Sequence, residues 1–200
     1  MEHSRAIEHL RQDDRLREVL ASVDLPPLSA DGDLYHGLVR AIIYQQLSGK
    51  AASTIYARFL SLFPDGYPHA AALAGMDAGP LRAAGLSRQK LGYVQNVARF
   101  FLEGHLEGKA WNDWADEAII QHLTQIKGVG RWTVEMLLMF TLERPDVFPL
   151  DDLGIQQAIA RLYGLAENGK ALKERMAVIA GPWRPYRSYA CRYLWKWHTP

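Results

Sequence analysis

The segment over residues 123–134 constrains the fold most, because two stretches of helical periodicity meet there across a very short turn. Gly128 and Gly130 lie in the turn, where the backbone freedom of glycine allows the chain to reverse within a few residues. A glycine turn before a helix N-terminus also directs several backbone N–H groups outward, an arrangement that suits one phosphate oxygen. The pattern predicts a hairpin of two helices. Taken alone, two glycines at this spacing favour an ordinary helical hairpin.

Helical spacing of apolar residues continues along the rest of the chain, and no alternating strand pattern exceeds four residues. The sequence therefore predicts an all-α protein. The expected helices cover residues 3–22, 34–47, 50–63, 69–75, 78–84, 87–101, the hairpin region 115–142, a helix from Asp151 or Asp152, 167–180, and a last helix after Pro185.

Composition limits the class of protein further. With 48% hydrophobic and 22% charged residues over 200 positions, the chain can form one domain or two small lobes. The single cysteine, Cys191, excludes an internal disulfide and any all-cysteine iron–sulfur or zinc site. We see no signal peptide and no apolar run near the ~18 residues of a membrane span, so the expected location is cytoplasmic or nucleoid-associated, with no membrane partner.

Two adjacent acids, Asp151 and Asp152, stand where a helix is expected to begin. One of them is expected as an N-cap, and because neighbouring side chains on a helix face about 100° apart, the other is free to point elsewhere. A carboxylate near a phosphate-binding turn has a natural role: it can stabilise positive charge on a deoxyribose as a base departs, or orient the attacking water. Glycoside hydrolysis offers the chemical analogy.

Four segments, in this order, resemble the helix–hairpin–helix (HhH-GPD) superfamily of DNA glycosylases, most closely its 3-methyladenine DNA glycosylase II, or AlkA-like, branch. They are residues 39–48 (VRAIIYQQLS), 128–133 (GVGRWT), 148–155 (FPLDDLGI) and 183–190 (WRPYRSYA). The resemblance implies a two-lobed helical bundle with an active-site cleft between the lobes. It implies one glycosylase unit over residues 1–200, with the hairpin at 123–134, lobe A over about 30–110, and lobe B over about 111–200 plus an N-terminal helix at 1–25.

The resemblance also assigns roles to individual residues. Asp152 matches the catalytic aspartate of the family. The base pocket is expected around Trp132, Met136, Leu153 and Trp195; Gln46, with Gln45 beside it, is expected to enter the duplex and fill the gap left by the flipped nucleotide. The DNA backbone is expected at Lys127, Gly128, Val129, Gly130, Arg131 and Thr133. Arg184 and Arg187 are further candidates for phosphate contacts, and either could instead pair with Asp151.

Two features of the family's other members differ here. In bifunctional relatives a lysine just after the hairpin glycines forms a Schiff base and cuts the strand, whereas this chain has Trp132 at that position. A monofunctional enzyme without AP-lyase activity is therefore expected. No cofactor is expected, since the cysteine count excludes the iron–sulfur cluster of some relatives. The carbonyls of Ile126 and Val129 are candidate ligands for a structural Na⁺ or K⁺.

The sequence thus predicts a monomeric DNA glycosylase of base excision repair that binds damaged double-stranded DNA. The expected substrates are alkylated purines of the 3-methyladenine and 7-methylguanine type, whose positive charge suits an aromatic pocket. Two alternatives remain open at this point. One is a glycosylase for another lesion, such as uracil or a deaminated purine, and the other is a module that binds damaged DNA without cleaving the glycosidic bond.

Overall fold

The computed structural model describes residues 2–26, 28, 32–106 and 108–199, and these residues form twelve helices and no strand. The prediction of an all-α protein is confirmed. The helices are α1 (Glu2–Leu10), α2 (Asp14–Ser22), α3 (Leu34–Tyr44), α4 (Gly49–Leu60), α5 (Ala70–Ala74), α6 (Ala78–Ala83), α7 (Arg88–Glu103), α8 (Asp116–Leu123), α9 (Arg131–Phe140), α10 (Leu153–Tyr163), α11 (Gly169–Ile179) and α12 (Arg187–His198). Within these described ranges, no helix has the length and apolar character needed to cross a membrane.

The prediction of one helix over residues 3–22 is wrong, because a break separates α1 from α2. Asp13 causes the break by capping α2. Its Oδ1 accepts hydrogen bonds from the backbone N–H groups of Arg15 and Leu16, both at 3.0 Å. The apolar spacing runs on through both helices, so periodicity alone does not show where the first helix ends.

The chain divides into two compact units. One comprises residues 1–30 and 138–200, and the other comprises residues 31–137. The division falls inside α9, later in the chain than the lobe boundary expected near residue 110. The assignment of all 200 residues to one glycosylase unit stays a prediction.

In the unit of residues 31–137, α7 is the central helix, and α3 and α5 pack against it. Leu38 and Ile42 of α3 and Val94 and Phe101 of α7 are fully buried in this core. The two positions on α3 are four residues apart and the two on α7 are seven apart, which is about one and two helical turns, so each helix buries one face. The core therefore fixes α7, which also donates hydrogen bonds to the end of α3 and to the turn after α8.

In the unit of residues 1–30 and 138–200, α12 packs against α10, α2 and α1. Asp13 links this unit internally, because its Oδ2 accepts hydrogen bonds from the Tyr163 hydroxyl at 2.6 Å and the Trp183 indole N–H at 2.9 Å. Burial alone raises the pKa of Asp13, but the hydrogen bonds from Tyr163, Trp183 and the backbone of Leu16 and Arg15 together hold the pKa below its ordinary value.

Candidate active site and nucleic-acid interface

The predicted hairpin is present as α8, a short turn and α9. Gly128 has a φ of 104°, and a Cβ added there would lie 2.3 Å from Cγ of Tyr93. Only glycine fits this position. Gly130 departs from the expectation, because it has no positive φ and a Cβ added there would meet nothing within 4 Å. The chain reversal depends on Gly128, while a side chain at Gly130 would project into open space just before α9.

The two basic residues of the hairpin differ in their surroundings. Lys127 is exposed, whereas the Arg131 guanidinium donates to both carboxylate oxygens of Glu117 at 3.0 and 2.8 Å and to Glu135 at 3.0 Å. The hydrogen bonds from Arg131, chiefly to Glu117, raise the pKa of the arginine above its ordinary value. Two carboxylates therefore offset the charge of Arg131, and Lys127 contributes more net positive charge at this turn. Thr133 has a buried side chain.

Asp152 is the N-cap of α10, and its side chain is only 8% exposed. Its Oδ1 accepts two hydrogen bonds of 2.8 Å, one from the backbone N–H of Ile155 and one from the indole N–H of Trp195. Gly154 makes this approach possible, because a Cβ there would lie 3.1 Å from Trp195 Cδ1 and 3.2 Å from Asp152 Oδ1. The Asp152 carboxylate is thus held in one orientation by the helix N-terminus and by an aromatic ring.

Asp151 has different surroundings. It is exposed and forms an ion pair with Lys173 of α11. The alternative pairing with Arg184 or Arg187 is wrong, because both arginines bind Asp146 instead, Arg184 at 2.9 Å and Arg187 at 2.6 Å. The cap and the family's catalytic position therefore fall on the same residue, Asp152, and its neighbour does not share the capping role.

The four residues expected around a flipped base lie on three helices. Trp132, at 45% exposure, and Met136, which is half-buried, are four residues apart on α9 and share one face of it. Leu153, at 64% exposure, begins α10 beside Asp152. Trp195 is half-buried on α12, and its ring lies 5.8 Å from that of Phe140.

The residues expected to enter the duplex follow α3 directly. Gln45 is the C-cap of α3, and Gln46 is exposed with a φ of 57°, in the left-handed region that side chains seldom adopt. The ammonium group of Lys90 on α7 donates to the carbonyls of Ile43 at 2.8 Å and Gln45 at 2.7 Å. Burial lowers the pKa of Lys90 from its ordinary value.

Sequence reasoning missed several residues around these positions. Phe140 continues the series 132, 136 and 140 on α9, and that spacing was visible in the sequence. Gly154 also left a signal, since glycine in the first turn of a helix lowers helix propensity and needs a packing reason. Lys90 and Lys173 left none, because each meets its partner only through the tertiary fold.

Among the residues described, no group of three or more His, Cys, Asp or Glu side chains is placed to hold a metal ion. The carbonyls of the hairpin are a separate kind of donor. The Ile126 carbonyl accepts a hydrogen bond from Val129 N at 3.0 Å, and since a carbonyl oxygen has two lone pairs, it retains capacity for a cation.

An all-helical fold with a glycine hairpin followed by a capped aspartate is typical of one class of proteins, and comparisons with known proteins identify that class. The family model for HhH-GPD superfamily base excision DNA repair proteins matches residues 39–185. The chain belongs to this superfamily.

Two curated relatives and one solved structure give the scale of the similarity. YfjP of Bacillus subtilis is 39% identical over 176 residues, which cover 85% of this chain and 61% of YfjP. DNA-3-methyladenine glycosylase 1 of Schizosaccharomyces pombe is 39% identical over 166 residues, 81% of this chain and 71% of that protein. The structure of the S. pombe 3-methyladenine DNA glycosylase Mag1 in complex with abasic DNA superimposes with a TM-score of 0.80 at 35% identity, covering 96% of this chain and 95% of that one.

Proposed function

We propose that this chain is a DNA glycosylase of base excision repair that excises alkylated purines, such as 3-methyladenine and 7-methylguanine, and leaves an abasic site. The observation that carries the proposal is the Asp152 carboxylate, nearly buried and oriented by Ile155 N–H and the Trp195 indole. Relatives named as 3-methyladenine glycosylases support the substrate class.

In the proposed reaction the bond between deoxyribose C1′ and the base nitrogen breaks, and its electrons leave with the base. A purine alkylated at N3 or N7 carries a positive charge and departs as a neutral molecule, so no separate acid is required. Asp152 stabilises the positive charge that develops on the sugar, or orients the water that adds to C1′. Either role needs a carboxylate with a fixed direction, which is what the two hydrogen bonds to Oδ1 supply.

Recognition of the damaged base would come from aromatic side chains. A cationic purine is attracted to the face of a tryptophan by about 0.5–2 kcal/mol, and Trp132 and Trp195 are the tryptophans of the expected pocket. Leu153 and Met136 add apolar surface without this charge preference. The alkylated base would therefore be favoured over a normal base both by the cation–π term and by its easier extrusion from the duplex.

The hairpin is proposed to hold the DNA backbone. Gly130 leaves the N–H groups at the start of α9 accessible to a phosphate, and the helix dipole favours an anion there. Lys127 adds a positive charge at the same turn. The carbonyls of Ile126 and Val129 would hold a Na⁺ or K⁺, which would supply positive charge next to the phosphate.

The enzyme is proposed to be monofunctional, because Trp132 occupies the position of the Schiff-base lysine in bifunctional members and has no amine with which to attack C1′. Damaged double-stranded DNA is the proposed partner and a monomer the proposed state. A cytoplasmic, nucleoid-associated location stays a prediction from the sequence.

The test is base release from methylated duplex DNA by the wild type, Asp152→Asn and Asp151→Asn side by side. We expect the wild type and Asp151→Asn to release 3-methyladenine or 7-methylguanine, and Asp152→Asn to release neither while still binding DNA. Activity that survives in Asp152→Asn and vanishes in Asp151→Asn would reverse the assignment. Tight binding without release by any of the three would indicate a non-catalytic reader of damage.

A further inference from the structure

One face of α7 contacts both DNA-binding segments proposed for the unit of residues 31–137. Lys90, Tyr93 and Asn96 are spaced by three residues along this helix, so each is next to the following one on its surface. Lys90 binds the carbonyls that end α3. The Tyr93 ring fills the space beside Gly128, and Asn96 Nδ2 donates to the Lys127 carbonyl at 3.3 Å.

The Lys90 end of this face is unusual for a helix terminus. A helix commonly ends in a left-handed residue, usually glycine, and a nearby lysine can bind the last carbonyls. Here the left-handed residue is Gln46, and this conformation is less favourable for a residue with a Cβ than for glycine. The side chain is exposed, so packing does not explain why it is there. Strain of this kind persists where the surroundings hold it and where the side chain has a use.

Lys90 is the group that holds the strained segment. Its ammonium binds carbonyls on both sides of Tyr44, at Ile43 and at Gln45, with bonds of 2.8 and 2.7 Å. The Gln45 carbonyl belongs to the peptide unit that precedes Gln46, so its direction sets the direction of the Gln46 backbone. The Lys90 ammonium is partly removed from water, and its hydrogen bonds to these two carbonyls are strong because the donor is charged.

We propose that Lys90 is a positioning residue for base extrusion: it fixes Gln46 at a set distance from the phosphate-binding hairpin, through the rigid face of α7. The inference rests on the proposed function, since it assigns Gln46 the task of filling the gap left by a flipped nucleotide. The same helix holds the hairpin through Tyr93 and Asn96. The distance between the phosphate contact and the wedge is therefore set within one packed unit, before any DNA binds.

The test compares Lys90→Met, Lys90→Arg and Gln46→Ala, with Lys170→Met as the control for loss of a lysine, since Lys170 is exposed on α11. Base extrusion is read from the fluorescence of 2-aminopurine placed next to the lesion, and excision is read as a single-turnover rate with enzyme in excess. The substrates are the same lesion in a matched duplex and in single-stranded DNA. Thermal unfolding of every variant is recorded in parallel.

We expect Lys90→Met to lower extrusion and duplex excision by about tenfold or more, and to affect the single-stranded substrate much less, because no gap has to be filled there. Lys90→Arg should restore most of the rate, since it keeps charged donors. Lys90→Met and Gln46→Ala should combine less than additively, because one acts through the other. Should Lys90→Met not fold, Lys90→Gln replaces it in the same comparison.

Two outcomes separate this inference from the proposed function. A wild type that extrudes the base but never releases it would contradict the proposed function and leave the role of Lys90 standing. A wild type that excises normally, with Lys90→Met equal to Lys170→Met on both substrates, would overturn the inference. Equal losses on duplex and single-stranded DNA, or full additivity with Gln46→Ala, would also overturn it, because they would indicate a general structural role.

Discussion

Replacing Trp195 with phenylalanine isolates the contribution of one hydrogen bond to the candidate active site. The phenyl ring retains an aromatic surface at this position of α12 but removes the indole N–H that binds Asp152 Oδ1 at 2.8 Å. The bond from Ile155 N–H to the same oxygen remains. The carboxylate would then be held by the helix cap alone and could rotate away from its productive direction.

The size of the effect follows from the type of bond. A hydrogen bond to a charged group contributes about 1.5–3 kcal/mol, and each 1.36 kcal/mol is a factor of ten in rate. We therefore expect the rate of the chemical step to fall by about 10- to 150-fold. The loss should be smaller than that of Asp152→Asn, which removes the carboxylate itself.

The assay is single-turnover release of 3-methyladenine at saturating enzyme, together with the affinity for the same duplex. Trp197→Phe is the matched control, since Trp197 lies on the same helix and its ring contacts the Arg161 guanidinium at 4.5 Å, whereas Trp195 donates to Asp152. We expect Trp195→Phe to lower the rate with little change in affinity, and Trp197→Phe to keep the rate. Equal rates for the two variants would refute the idea that the indole N–H orients Asp152.

Four further predictions concern the hairpin and the fold. Lys127→Ala should weaken binding to damaged and undamaged duplex alike and reduce the slope of log K against log salt by about 0.9. Arg131→Ala should change this slope less, because two carboxylates already offset the charge of Arg131. Equal slopes for the two variants would contradict this expectation. Gly128→Ala should lower the free energy of unfolding by about 2 kcal/mol or more, seen as a reduced Tm, and an unchanged Tm would show that the turn tolerates a side chain. Borohydride should trap no covalent adduct with DNA, and a trapped species would indicate lyase chemistry. Because the pKa of Asp13 is lowered in the folded state, this group contributes stability above the unfolded pKa of about 3.9, and the contribution is lost as the pH falls through the folded pKa. Asp13→Asn should therefore make the free energy of unfolding, measured by denaturant titration, depend less steeply on pH in the acid range. A dependence as steep as that of the wild type would assign the acid sensitivity to other carboxylates.

The helices and the hairpin were largely predictable because their signals are local. Apart from residues 3–22, each expected segment overlaps the helix or hairpin that apolar spacing predicted there, and Gly128 marked the turn. The division of residues 3–22 into α1 and α2 was missed because apolar periodicity continues through the break. The Asp13 carboxylate that caps α2 is also held by Tyr163 and Trp183, which are 150 and 170 residues away in the sequence.

The sequence by itself determined that the chain is all-α, that a glycine hairpin precedes an aspartate pair, and that these segments resemble one glycosylase family. Only the tertiary structure decided which aspartate is oriented, which hairpin cation is already paired, and what holds the strained Gln46. Each of these depends on a partner distant in the sequence: Trp195 for Asp152, Glu117 for Arg131, and Lys90 for the Gln45 carbonyl. Local spacing cannot encode such contacts, because packing of whole helices against one another brings the partners together.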